Sequence, residues 1–160
     1  MVPTLVLEDS TAIGEVPAIF RYIEEVAPEP ALLGTTSLEK AQVAMWERRV
    51  ELEGFAAVME GVRNAAAGLK GRALSGPHDY AQIPALVERS RLRVANFYAD
   101  FNARLTEVPF IAGAHFSAAD ITALATVDFA TKAFDNPIPN DHKAFKAWYE
   151  KVAARPSAKA

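Results

Sequence analysis

Few side chains in this 160-residue chain could do chemistry, and their spacing narrows the options. There is no cysteine, so the chain supplies no thiolate nucleophile, disulfide or thiolate metal site. His78, His115 and His142 fall in three separate breaks between apolar segments and share no ligand spacing, so no metal site is expected. Asp120 could pass for a catalytic acid, but Ser117-Ala118-Ala119-Asp120 has the form of a capping box, in which a hydroxyl at N-cap and a carboxylate at N3 satisfy backbone N–H groups reciprocally. A structural role for Asp120 follows. No glycine-rich phosphate loop is present. The hydroxyls of Ser10, Thr11 and Tyr22 occupy ordinary turn and helix positions. Glu47, Arg48, Arg49, Glu51 and Glu53 form either a polar wall facing a site or a partner, or a solvated helix face with i,i+4 pairs.

Composition bounds the elements that must position these groups. Half of the residues are apolar (51%) and 23% are charged, a balance that can bury a core. The 17 basic and 20 acidic residues leave a net charge of -3, with no surplus to hold a phosphate backbone, so nucleic acid is not an expected partner. The opening residues lack a basic region and reach Glu8 and Asp9 early, unlike a secretory leader. The least charged stretch, residues 108 to 119, is too short to cross a bilayer. A cytoplasmic protein is expected.

Along the chain, Thr4 to Leu7 and Thr11 to Ile13 are β-prone runs about the turn Glu8-Asp9-Ser10, a hairpin pattern. Val16, Ile19, Phe20, Ile23 and Val26 recur at helical spacing from Glu15 on. Pro28, Pro30 and Gly34 then mark a linker. Leu38, Ala41, Met45, Leu52, Phe55, Met59, Val62, Ala66 and Leu69 follow a seven-residue repeat that predicts a long helix from Ser37, with half a capping box to Lys40, to about Gly71, and the stripe reads as core packing. A second long helix runs from Ile83 to Leu105 with Pro84 in its first turn. Ser117 opens a nearly all-apolar helix suited to the centre of a bundle, with Phe116 and Ile121 placed for a hydrophobic staple. Phe145, Trp148, Tyr149 and Val152 mark a last short helix. The division is 1-27, a linker at 28-36, and an all-helical part at 37-160.

The run Val2-Pro3-Thr4-Leu5-Val6-Leu7, followed by Glu15-Val16, Ala18-Ile19 and Arg21-Tyr22, resembles the glutathione-binding half of a cytosolic glutathione transferase. The Ser117 to Asp120 box opening a buried helix is similar to that family's second landmark. The resemblance implies a mainly α fold: a partial thioredoxin-like β-β-α unit followed by the all-helical C-terminal domain, with five to six helices. It implies that Pro3 is a cis-proline, that Val2 offers its N–H and C=O to the cysteinyl backbone of glutathione, and that Glu15 and Val16 open a helix whose N-terminus takes the γ-glutamyl α-carboxylate. It also implies a homodimer. Trp46, Arg49, Met59 and Arg63 fall where part of an electrophile pocket would lie, although packing suits Trp46 and Met59 better.

Two departures qualify the resemblance. Val16 replaces the family's serine, and the lost hydrogen bond to a charged group is worth about 1.5 to 3 kcal/mol, so weaker glutathione binding is expected. The family also places a strand, helix and strand ahead of the Val-Pro, and that segment carries the Tyr, Ser or Cys that stabilises the glutathione thiolate. This chain starts at the Val-Pro, so no catalytic residue is assigned within it, and one edge of the Thr4 to Leu7 strand is expected to be bare. A free thiol has a pKa of about 8.5 and is a few per cent ionised near neutrality. Two activities are consistent with the residues: a whole or partial glutathione transferase acting on small apolar electrophiles, and a glutathione transferase-like binding or scaffold protein without turnover.

Overall fold

A computed structural model describes residues 3–159. Strand β1 (Thr4–Val6) pairs antiparallel with β2 (Ala12–Gly14), setting Thr4 opposite Gly14 and Val6 opposite Ala12. The turn closes where the Ser10 N–H meets the Leu7 carbonyl at 3.0 Å and the Thr11 N–H meets Asp9 Oδ1 at 2.9 Å, with Ser10 in the left-handed region at φ 68°. Among the described residues the sheet has these two strands. Helix α1 (Val16–Val26) follows directly.

The helical remainder comprises α2 (Ser37–Arg49), a π turn (Val50–Phe55), α3 (Ala56–Ala65), α4 (Ala85–Glu107), α5 (Ala118–Phe134) and α6 (Lys143–Ala153). Pro84 is the N-cap of α4, where its missing N–H interrupts no helical bond. Helix α5 is the centre. Its buried Ala119, Ala123, Val127 and Ala130 are small enough for α2, α3 and α6 to pack around it. Aromatic rings fill the far side, with Phe97 and Tyr98 of α4 against Phe145 of α6 and Phe101 against Phe97.

Three details correct the sequence expectations. The long helix ends at Ala65; Ala66 is extended, and a 3-10 turn (Ala67–Leu69) follows. The cap of α2 is Thr36, one residue before Ser37, and Glu39 rather than Lys40 closes the box. The predicted stripe also faces the wrong way in its first half, with Leu38 68%, Met45 51% and Leu52 48% exposed, whereas Val43, Val50 and Ala57, equally heptad-spaced, are buried.

Helix α2 packs against α5, and α3 against α4, and between them the π turn winds an extra residue into one turn. Gly54 lies so close to α4 and α5 that a Cβ there would stand 2.8 Å from a Phe97 ring carbon, and one at Gly61 would stand 2.2 Å from Phe134 Cζ. The Leu52 carbonyl in the turn accepts from Arg93 Nη2 at 2.8 Å.

The α2 cap carries a pH prediction. Glu39 accepts from the Thr35 hydroxyl and from the N–H groups of Thr35 and Thr36. These bonds, the Thr35 hydroxyl first, lower its carboxyl from the usual 4.5 to about 2. A depressed folded-state value gives stability that is present above pH 4.5 and lost as pH falls towards 2. Comparing chemical unfolding of the protein with that of Glu39→Gln across this range should show a stability gap that closes on acidification. A gap independent of pH would contradict this account of the cap.

Candidate functional site

The hairpin register brings the predicted binding residues together. With Thr4 opposite Gly14, Pro3 and Glu15 adjoin the last pair, twelve positions apart in sequence but at one end of the ribbon. Both are exposed, and Val16 beside them is half-buried. Val2, including its main chain and its bond to Pro3, lies outside the described residues.

Glu15 turns the chain from β2 into α1 with φ 66° and ψ 121°, a conformation an L residue adopts at a cost of about 1 to 3 kcal/mol and which clusters at binding sites. Its carbonyl accepts from the N–H groups of Ala18 at 3.0 Å and Ile19 at 3.1 Å. Pro17 has no N–H, and among the described residues no side chain caps this helix. The Val16 N–H is therefore the group available to an anion at the positive end of α1.

None of the three hydroxyls stands at this end. Ser10 and Thr11 flank the turn, roughly 10 Å or more away at 3.3 Å per strand residue. Tyr22, six residues along α1 from Val16, is roughly 9 Å down the axis at 1.5 Å per residue.

The charges on the long helix pair along it. Arg48 meets Glu51 at 2.6 Å, and Arg49 bonds Glu53 through Nε and Nη2 at 3.0 and 3.2 Å, which favours the solvated-face reading for these four. Glu47 differs. It lines a cleft of about 280 Å³ between α1 and α2 with Phe20, Arg21, Glu24 and Lys40, where burial first, and Glu51 second, push its carboxyl up. Trp46 packs edge-on against Phe101 at 5.9 Å, with the guanidiniums of Arg49 and Arg104 over its ring at 4.6 and 4.4 Å. Arg63 donates to Met59 Sδ at 3.2 Å and to the Arg72 carbonyl at 2.7 Å, so it fastens the loop after α3. His78 and His115 are exposed, and His142 rests against Asp141 at 2.8 Å. Among the described residues no group of three potential ligands could hold a metal.

Asp120 is fully buried and is a structural hub. Its Oδ2 accepts from the Ser117 N–H at 3.0 Å and the Ser117 hydroxyl at 3.1 Å. Its Oδ1 accepts from the Ile111 N–H at 3.0 Å and Trp148 Nε1 at 2.8 Å. Burial pushes the carboxyl above its ordinary range against the pull of these donors. Phe116 meets Phe110 edge-on at 6.0 Å, with the Arg155 guanidinium 3.8 Å above its ring.

Sequence reasoning missed two polar anchors. One is the Thr36 to Glu39 box, which the chain carries as a hydroxyl and a Glu at N-cap and N3 spacing. The other is Glu24, whose carboxylate accepts from the N–H groups of Leu32 at 3.0 Å and Leu33 at 2.8 Å; no local pattern announces it.

The pattern of the family "Glutathione S-transferase, C-terminal domain" matches residues 84–151. The chain is 36% identical over 159 residues to Glutathione S-transferase 2 of Saccharomyces cerevisiae; the match covers 99% of this chain and spans 65% of that relative's length. The crystal structure of Gtt2 from Saccharomyces cerevisiae superposes with a TM-score of 0.88 at 35% identity, covering 99% of this chain and 74% of that one. A class Gtt2 glutathione S-transferase of Vibrio parahaemolyticus gives 0.82 at 34% identity, covering 99% and 70%.

Proposed function

Because the chain belongs to the glutathione S-transferase family, we propose that it is a glutathione transferase, or the glutathione-clasping and helical portion of one, joining glutathione to small apolar electrophiles. The observation that carries this reading is the placement of Pro3, Glu15 and Val16 at one end of the hairpin, where α1 starts with no side-chain cap among the described residues. There the γ-glutamyl carboxylate takes the Val16 N–H, and Val2 pairs its main chain with the cysteinyl unit. In the reaction the thiol loses its proton, the thiolate attacks the electrophilic carbon, a C–S bond forms and the leaving group departs with its electron pair. Residues 1-27 form the glutathione-binding unit, 28-36 the linker and 37-160 the helical domain.

The distance of Ser10, Thr11 and Tyr22 from this end favours a second reading, a binding or scaffold protein in which Pro3, Glu15 and Val16 hold glutathione and its thiol is not ionised. Two measurements separate the readings: calorimetric titration with glutathione, and an assay with an activated aryl halide. Binding with turnover supports the transferase, binding without turnover supports the scaffold, and no binding at millimolar glutathione contradicts both.

A homodimer is part of the proposal. Leu38, Met45 and Leu52 line the solvent side of the long helix, and Ile23 and Val26 are exposed on α1, giving two apolar surfaces of the kind that pair across protomers. Met45→Glu would place a charge in that contact and is expected to weaken dimerisation at least tenfold, read by sedimentation. Unchanged association would remove this stripe from the interface. Among the described residues no helix is long and apolar enough to cross a membrane. A reaction that consumes reduced thiol implies the cytoplasm, where thiols are kept reduced.

A further inference from the structure

Helix α1 belongs to the hairpin unit, yet one of its side chains is wired into the bundle. Glu24, about 12 Å along the axis from Val16 at 1.5 Å per residue, spends both carboxylate oxygens on the consecutive N–H groups of Leu32 and Leu33. The Leu32 carbonyl in turn accepts from the Ala118 N–H at 2.9 Å. Ala118 is the first residue of α5, bonded in the chain to Ser117, which donates to Asp120. Hydrogen bonds and short stretches of main chain therefore link α1 through the linker to the cap of the central helix and on to Trp148.

The apolar part of the attachment is small. Phe20 and Leu33 are the residues of α1 and the linker that pack against the buried core, and beside them a cleft lined by Arg21, Glu24, Lys40 and Glu47 runs between α1 and α2. Carboxylate bonds to backbone N–H groups are charge-assisted and directional, so this contact fixes how α1 sits on the bundle where apolar contact alone would let it slide.

We propose that Glu24 is a positioning residue for glutathione: a latch that holds α1 in its binding orientation and couples occupancy of the α1 N-terminus to the α5 cap. The proposal rests on the glutathione reading above. Coupling is reciprocal, so glutathione bound at Val16 tightens the latch, and an intact latch tightens glutathione.

Hydrogen–deuterium exchange and calorimetry on the full chain test this, with glutathione as the probe. In the unaltered protein, saturating glutathione should slow amide exchange at Leu32, Leu33 and Ala118. In Glu24→Gln, which keeps the side-chain length but one fewer acceptor, glutathione should bind roughly fivefold more weakly and the slowing at Ala118 should disappear. Glu25→Gln, on the neighbouring exposed residue, should leave both unchanged. A purely structural role would lower the melting temperature without altering the response of Ala118 to glutathione. Glutathione binding equal in Glu24→Gln and the parent, or no exchange response in the parent, overturns the latch while leaving the glutathione reading intact. No glutathione binding to the parent overturns both.

Discussion

Asp120→Ala is expected to destabilise the fold by about 3 to 5 kcal/mol. Sequence alone supports only the loss of a helix cap, about 0.5 to 2 kcal/mol. The structure raises that figure because one carboxylate satisfies four donors from three segments: two backbone N–H groups, a hydroxyl and the Trp148 indole. Each buried donor left without a partner costs about 1 to 3 kcal/mol. The total falls below their sum because the hydroxyl can turn away and water can enter the space. At roughly 2 to 4 °C per kcal/mol for a chain of this size, the melting temperature should fall by about 10 °C, and a change confined to 2 or 3 °C would show that Asp120 is an ordinary cap. Trp148→Phe removes a single donor and should cost far less.

The second large effect concerns affinity. Val16 presents its N–H at the start of α1 but no hydroxyl, so Val16→Ser should restore a hydrogen bond to a charged carboxylate, worth about 1.5 to 3 kcal/mol. Glutathione should bind roughly tenfold or more tightly by calorimetry. The variant leaves the helix start intact because no side chain among the described residues caps it. An unchanged dissociation constant would mean that the carboxylate is held elsewhere.

The hairpin and α1 were legible because their signals are local: an Asp-Ser turn between β-prone runs and an amphipathic period that begins at Val16. The Ser117 to Asp120 box was legible for the same reason, since its pattern spans four residues. The inward face of the long helix was not. Two heptad-spaced stripes, one through Met45 and one through Val43, compete in that segment, and the π turn at Val50–Phe55 brings Gly54 close beneath Phe97 and Thr126, contacts far away in sequence. Glu24 and Trp148 escaped for a related reason, their partners being eight or more and 28 residues away. The positive φ of Glu15 could not be read from a residue type that ordinarily avoids that region. The candidate site was therefore visible as a set of residues, whereas the strained turn and the polar latch that orient it were visible only in three dimensions.

The most direct test is a ¹⁵N NMR titration of the full chain with glutathione. The account predicts saturable shifts concentrated on the amides of Thr4, Glu15 and Val16, with smaller ones at Leu32 and Leu33. Shifts that fail to saturate at millimolar ligand, or that saturate on a surface away from the Pro3 and Glu15 end of the hairpin, would contradict it.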